Sequence, residues 1–275
     1  KLILMNTSEV DYKSICIKMC DLGKTAGEYI RKQSALLLSE QIEEKGDHDY
    51  VTYVDKTAEK MLVEGLRKIL PEAGFITEEK TDSTKGETLN WIIDPLDGTT
   101  NFIHQIPVYC VSIALKENDE IVAGVIYEIN LDECFYAWKG GKSMLNGQII
   151  EVSPRTDFNT SLIATGFPYY DYGKLDAYLQ VFKEMMESTA GLRRLGSAAA
   201  DMAYTAAGRF EGFYEYGLNP WDVAAGIIIV KQAGGIVSDF KGGNDALFGK
   251  ELICGSPHIH KNMLSIISRL FSTFA

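Results

Sequence analysis

The sequence predicts a layered fold of mixed α+β and α/β character, on three observations. Two amphipathic helical segments open the chain, a series of short strands rich in β-branched and aromatic residues follows, and beyond about Ser153 strands and helices alternate. The first two place helices against an antiparallel sheet in an N-terminal half, residues 1–152. The third places a second sheet in a C-terminal α/β half, residues 153–275.

From Tyr12 to Ile30, apolar residues recur every three or four positions (Ile15, Cys16, Met19, Leu22, Ala26), which predicts a helix with one buried face. A second helix is expected from Lys56 to Leu70, stopped by Pro71, with Asp55 just ahead of it. The mixed-charge run at 43–49 reads as a solvated loop. Phe75-Ile76, Trp91 to Ile93, Val108 to Leu115, Ile121 to Tyr127 and Cys134 to Trp138 read as strands, and Asn146-Gly147 as a hairpin turn before Ile149 to Val152. In the second half the expected strands are Leu162 to Thr165, Phe210 to Tyr216, Ile236 to Phe240 and Leu252 to Cys254. Helices are expected over Asp176 to Glu187, Ser197 to Ala207, Val223 to Ala233 and His258 to Leu270.

The chain has 275 residues and a formal net charge of −11, which argues against a general polyanion-binding surface and makes nucleic acid an unexpected partner. Five scattered cysteines, an odd number, predict reduced thiols. The apolar cluster Leu2 to Met5 is too short for a signal-peptide core or a membrane span. A cytoplasmic protein without membrane contact is expected.

The most informative stretch is Trp91-Ile92-Ile93-Asp94-Pro95-Leu96-Asp97-Gly98-Thr99-Thr100-Asn101-Phe102. Pro95 holds Asp94 extended at a strand's exit. Asp97 suits a helix N-cap, an innocent role that leaves Asp94 without one. Two converging carboxylates repel unless a proton or a cation lies between them. Gly98-Thr99-Thr100 offers backbone N–H groups at a helix start, where an anion can sit. Oxygen ligands beside such a cradle point to Mg²⁺ and phosphate. Further acids stand at element ends: Glu78 and Glu79 close the strand ending at Thr77, and Asp222 opens the Val223 helix. Taken singly each acid has an ordinary structural explanation. Taken together they fit a metal cluster better.

Phe75-Ile76-Thr77-Glu78-Glu79, the Trp91 to Asn101 stretch, Trp221-Asp222-Val223-Ala224-Ala225-Gly226 and Ala233-Gly234-Gly235 occur in this order and spacing. In this the chain resembles the inositol monophosphatase family of Mg²⁺-dependent, Li⁺-sensitive phosphatases, over nearly its whole length. The resemblance implies a five-layered αβαβα sugar-phosphatase fold, a homodimer, and two or three Mg²⁺ ions held by Glu78, Asp94, the Leu96 carbonyl, Asp97 and Asp222. It implies that Glu78, Asp94 and Thr99 are catalytic, with Thr99 and Glu78 orienting the attacking water. Gly98 and Thr99 would hold the phosphate, with Ala198, Glu215 and Asp222 contacting the rest of the substrate. Asp55 matches an outer acidic position near the metals. Two departures stand out: Thr77 replaces a common Gly before the glutamate pair, and Lys45 is one residue off the register of the family's mobile-loop lysine.

The implied activity is hydrolysis of a small phosphorylated polyol, myo-inositol monophosphate, on the strength of Glu215. Relatives with the same metal core act on fructose-1,6-bisphosphate, histidinol phosphate, NADP or 3′-phosphoadenosine 5′-phosphate. A regulatory binding role with the transcription machinery, as in some bacterial relatives, is the alternative from another class. Arg193-Arg194 fits a solvated pair, a dimer contact or a partner contact alike. His104 reads as a loop histidine and Tyr169-Tyr170 as surface aromatics.

Overall fold

The computed structural model describes residues 10–34, 36, 42–46, 49–167 and 172–272. Helix α1 (Tyr12–Ser34) follows the predicted periodicity and buries Ile15, Cys16, Met19, Ala26 and Ile30. Strands β1 (Ile42–Gly46) and β2 (Asp49–Thr52) pair antiparallel, where the sequence predicts a solvated loop. Charged residues have low strand propensity, but pairing still satisfies the backbone groups that face each other across a two-stranded ribbon. Asp47 and His48 lie outside the described residues, as do Tyr169 and Tyr170.

Helix α2 (Tyr53–Ile69) starts three residues earlier than its apolar periodicity suggests, because Thr52 and Asp55 form a capping box. The Val54 N–H donates to Thr52 Oγ1 at 3.0 Å, and the Thr52 N–H donates to Asp55 Oδ2 at 2.9 Å. Asp55 therefore lies inside the first helical turn, not ahead of it.

Next come β3 (Gly74–Thr77), β4 (Leu89–Asp97), the one-turn helix α3 (Thr99–Ile103), β5 (Cys110–Glu117), β6 (Glu120–Glu128), β7 (Glu133–Trp138), β8 (Met144–Leu145) and β9 (Gln148–Ile149). These strands form one seven-stranded sheet in chain order. It is antiparallel from β4 to β9, but β3 runs parallel to β4. A parallel neighbour needs a crossover, and residues 78–88 provide it. The predicted turn between β8 and β9 has Asn146 at φ 48° and Gly147 at φ 84°, the left-handed pair that a two-residue hairpin requires.

The remaining elements are β10 (Leu162–Thr165), α4 (Leu175–Ser188), β11 (Gly191–Arg193), α5 (Ala198–Ala206), β12 (Gly212–Tyr216), α6 (Pro220–Gln232), β13 (Ile236–Ser238), β14 (Glu251–Gly255) and α7 (Pro257–Ser272). Their sheet has the order β11-β10-β12-β14-β13, parallel across β11, β10 and β12 and antiparallel at β14.

Alternation along the strands builds five layers. Trp91 and Ile93 of β4 face a core shared with α1 and α2, whereas Ile92 faces a second core filled by α5 and α6. In β12, Phe213 joins that middle core while Tyr214 and Tyr216 face a third, under α4 and α7. The order is thus helices, large sheet, helices, small sheet, helices. The middle layer is tight: a Cβ on Gly124 of β6 would lie 2.8 Å from the Ala225 carbonyl of α6.

Candidate active site

Asp94 and Asp97 are three residues apart on β4, so a regular strand would send them to opposite faces. The β4–β5 register corrects this. Asp94 pairs with Ser112 and Asp97 with Cys110, three steps on one strand against two on the other, a bulge that turns both carboxylates into one cavity. Asp97 does not cap the helix that follows it. Gly98 occupies that N-cap at φ 98°, and its absent Cβ would stand 3.0 Å from the Val108 carbonyl. Asp97 instead caps α5 from across the molecule, its Oδ2 accepting from Ser197 Oγ and the Ala199 N–H, each at 2.7 Å.

Glu78 enters the cavity from the end of β3. Thr77, where the family commonly has glycine, sits in regular strand: it pairs with Ile93, the Glu78 N–H continues the ladder to the Ile93 carbonyl at 3.3 Å, and its φ is not positive. The segment after it is held by Glu59 of α2. The buried Glu59 carboxylate accepts from the N–H groups of Glu79 and Thr81, both at 2.8 Å, and from Thr81 Oγ1 at 2.7 Å. Asp222 arrives from the first turn of α6. It is the third residue of a capping box begun by Asn219, whose N–H donates to Asp222 Oδ2 at 2.7 Å, rather than the N-cap that the sequence suggests.

Glu78, Asp94, the Leu96 segment, Asp97, Gly98, Thr99 and Asp222 line one cavity of about 130 Å³. Its carboxyl groups are electrostatically frustrated. Burial, reinforced by the charges of Glu78, Asp97 and Asp222, raises Asp94 well above the usual carboxylate range. Burial and Asp97 do the same to Asp222. Burial lifts Asp97 to about 6, against the opposing pull of Ser197, the Ala199 N–H and Arg194. Among the described residues no three such side chains are drawn together as a ready-made metal shell. Glu78 lies near enough to Asp94 to push its pKa up further, so these carboxyls favour a positive charge between them. Hard oxygen donors that need a positive charge between them fit a hard divalent cation taking that place.

Thr99 Oγ1 lies 3.0 Å from both Asp55 Oδ1 and the Leu96 carbonyl, two acceptors for its one proton. Asp55 is fully buried, fixed also by Thr52, and burial raises its pKa. Asp55 therefore reaches the site through Thr99 rather than as an outlying acid.

Opposite these groups the cavity is closed by Ala198, Glu215, Arg194 and Asp201. Glu215 is raised to about 8 by burial, against the opposing charge of Arg194. A Cβ on Gly166 would fall 2.0 Å from the Glu215 carboxyl oxygen, so glycine there is what gives that carboxyl room. The arginine pair divides: Arg193 donates to its own neighbour's carbonyl, Leu192 O, while Arg194 turns into the cavity with its guanidinium over the Phe167 ring. His104 lies on the exposed C-cap of α3, away from the cavity. Among the lining residues to which the sequence assigns no site role are Arg194, Ser197 and Asp201. Asp201 carries a detectable signal, as the one charged residue in the otherwise apolar and alanine-rich α5. It is 1% exposed, with Oδ1 lacking a hydrogen-bond partner among the described residues.

Comparison with known proteins agrees with this architecture. The profile of the inositol monophosphatase family matches residues 11–271. An inositol-1-monophosphatase of Mesorhizobium japonicum is 39% identical over 92% of this chain and 96% of its own length. The Nus factor SuhB of Escherichia coli K12 is 40% identical over 88% and 91%. The crystal structure of the extragenic suppressor protein suhB from Bartonella henselae superposes with a TM-score of 0.89, at 39% identity, over 93% of this chain and 99% of that one. With its two large sheets, its three helical layers and its acids at strand and helix ends, the chain belongs to the inositol monophosphatase family.

Proposed function

We propose that the chain hydrolyses a small phosphate monoester with Mg²⁺, and that its substrate is a myo-inositol monophosphate. The observation that carries this reading is the convergence of Glu78, Asp94, Asp97 and Asp222 on one buried cavity beside the Gly98–Thr100 backbone, where burial raises the pKa values of Asp94, Asp97 and Asp222 and neighbouring carboxylates raise those of Asp94 and Asp222 further. Two or three Mg²⁺ ions held by Glu78, Asp94, the Leu96 carbonyl, Asp97 and Asp222 would supply the positive charge that acidifies a water and steadies a leaving alkoxide. The chain's own groups do the rest. Backbone N–H groups of Gly98 and Thr99 face the phosphate. With its proton directed to Asp55 Oδ1, Thr99 Oγ1 presents a lone pair that orients the attacking water, and Glu78 is the neighbouring carboxylate able to accept a proton. Glu215 and Ala198 contact the alcohol portion, and the raised pKa of Glu215 leaves its carboxyl able to donate as well as accept a hydrogen bond to a ring hydroxyl.

Release of phosphate from a panel of phosphomonoesters, with Mg²⁺ and with excess chelator, tests the reading; full activity in chelator would overturn it. Inhibition by Li⁺ at roughly tens of millimolar, as expected of a weak hard-cation site, would support the leaving-group side of the ligand set. The relative named Nus factor SuhB lends support to the second reading, a regulatory role with the transcription machinery, which an inactive protein with an intact fold would favour. A homodimer is supported by the exposed Leu179 and Met186 on α4, the helix whose Phe182 packs against the exposed Phe167. All five cysteines are free and buried, which supports a reducing, cytoplasmic setting. No helix among the described residues is long and apolar enough to cross a membrane.

A further inference from the structure

A second cavity, of about 350 Å³, lies at the start of α7 and shares no lining residue with the carboxylate site. Its wall includes Lys142, Arg155, Gly234, Ser256 and His258. Helix α7 is 16 residues long with no acidic residue in its first turn, so the positive end of its dipole is uncompensated. The N–H groups of His258 and Ile259 have no acceptor within the helix, and Pro257 has no N–H to offer. Ser256 stands where a capping hydroxyl would, yet its Oγ has no hydrogen-bond partner although the residue is 3% exposed. A buried hydroxyl left unpaired is costly, and an entering oxyanion would accept its proton.

The surrounding charges agree. Lys142 is exposed and makes no ion pair among the described residues. Arg155 uses Nε on Glu211 Oε1 at 3.3 Å and Nη1 on Thr160 Oγ1 at 3.2 Å, leaving Nη2 uncommitted among them. The neighbouring acid Glu211 is already engaged by Ser153 Oγ and the Leu162 N–H, which leaves the exposed Glu151 as the opposing charge on the wall. The nearby C-terminal end of α6 is capped: the carbonyls of Ile229, Val230, Lys231 and Ala233 accept from Ser143 Oγ and from the N–H groups of Gly235, Gly234 and Val152. We propose that this cavity binds a phosphate group, held by the His258 and Ile259 N–H groups, Ser256 Oγ, Lys142 and Arg155. It is roomier than a lone tetrahedral anion requires, at the small end of the roughly 300–1,000 Å³ of small-molecule pockets, so the group is carried by free phosphate or by a small phosphate ester.

The test is an amide chemical-shift titration of the full chain in chelator, so that no ester is turned over, with inorganic phosphate and separately with glycerol 2-phosphate. The His258 and Ile259 amides should move saturably, with a dissociation constant on the order of 1 mM. The double variant Lys142→Ala/Ser256→Ala, which removes the ammonium and the hydroxyl, should weaken this roughly tenfold and leave the Thr99 and Thr100 shifts as they were. Tighter binding of the ester would support an organic ligand in the remaining volume, and equal affinity would support free phosphate. Absence of saturable movement at 258–259, or the same movement in the double variant, would overturn the site.

Discussion

Replacing Glu215 by glutamine should stabilise the metal-free chain and impair its proposed substrate recognition, and the two effects are separable. Burial raises the Glu215 carboxyl from 4.5 to about 8. A folded-state pKa above the unfolded value means that the stability associated with the bound proton is fully present below 4.5 and is lost as pH rises through about 8. With these two values the carboxyl costs the fold about 1 kcal/mol at pH 5 and about 4 kcal/mol at pH 8. Glutamine keeps the volume and cannot ionise. Urea unfolding in chelator should therefore show Glu215→Gln more stable than the parent, with a gain larger at pH 8 than at pH 5 by about 3 kcal/mol. Asp94, Asp97, Asp201 and Asp222 share the upward shift, but they titrate in both proteins and largely cancel in the difference. A gain equal at both pH values would refute the buried, proton-holding carboxyl. In the Mg²⁺-loaded enzyme the same variant should lose about 1–3 kcal/mol in kcat/KM on inositol 1-phosphate and little on glycerol 2-phosphate. Equal losses on both would remove Glu215 from substrate recognition.

Asp222→Asn retains an oxygen to receive the Asn219 N–H but removes a charge, so kcat should fall by a factor on the order of 10² or more on every ester alike; near-parent turnover would exclude Asp222 from the cation site. Gly124→Ala would drive a Cβ to 2.8 Å from the Ala225 carbonyl, and should lower stability by about 1–3 kcal/mol in urea unfolding; an unchanged midpoint would mean that β6 and α6 separate freely. His260, buried with Nε2 2.9 Å from Ser238 Oγ, has a pKa lowered by burial. Its contribution to stability is present above the unfolded value of 6.5 and is lost as pH falls, so His260→Gln should flatten the acid side of the stability profile relative to the parent; identical acid slopes would contradict this.

Periodicity reveals the outer helices well, because burying one face forces the pattern that α1 and α2 display, whereas β5 and β6, buried on both faces, are legible as near-continuous apolar runs. Element starts are less legible where one residue serves two purposes. Asp55 and Asp222 each close a capping box at the third helical position while also facing the site, so the apolar pattern alone begins both helices three residues late. Asp97 misleads in another way: it does cap a helix, but α5, a hundred residues along the chain, and no local pattern announces a distant cap. The β3–β4 pairing is parallel because of a crossover whose residues carry no periodicity. Glu59 looks like an ordinary helix-surface charge, and only the fold brings the Glu79 and Thr81 amides to it. The acids themselves are legible because carboxylates beside Gly-Thr-Thr at a strand exit have few other uses. What lies opposite them depends on how α5, β12 and the loop at Gly166 fold over, and short-range sequence does not encode that.

The bulge between Asp94 and Asp97 has a consequence for how the protein comes into being. It fixes two carboxylates side by side early in the chain, on β4 and beside Glu78, while Asp222 waits on α6 and the helix that Asp97 caps, α5, is still to come. During synthesis, then, the large sheet must form with like charges facing an unfinished surface. At that stage water can still screen them, and only the docking of α5 and α6 seals them in. Final closure is thus the step that desolvation opposes most strongly. A dissolved divalent cation should speed it, so that refolding, and not turnover alone, would answer to the metal content of the medium.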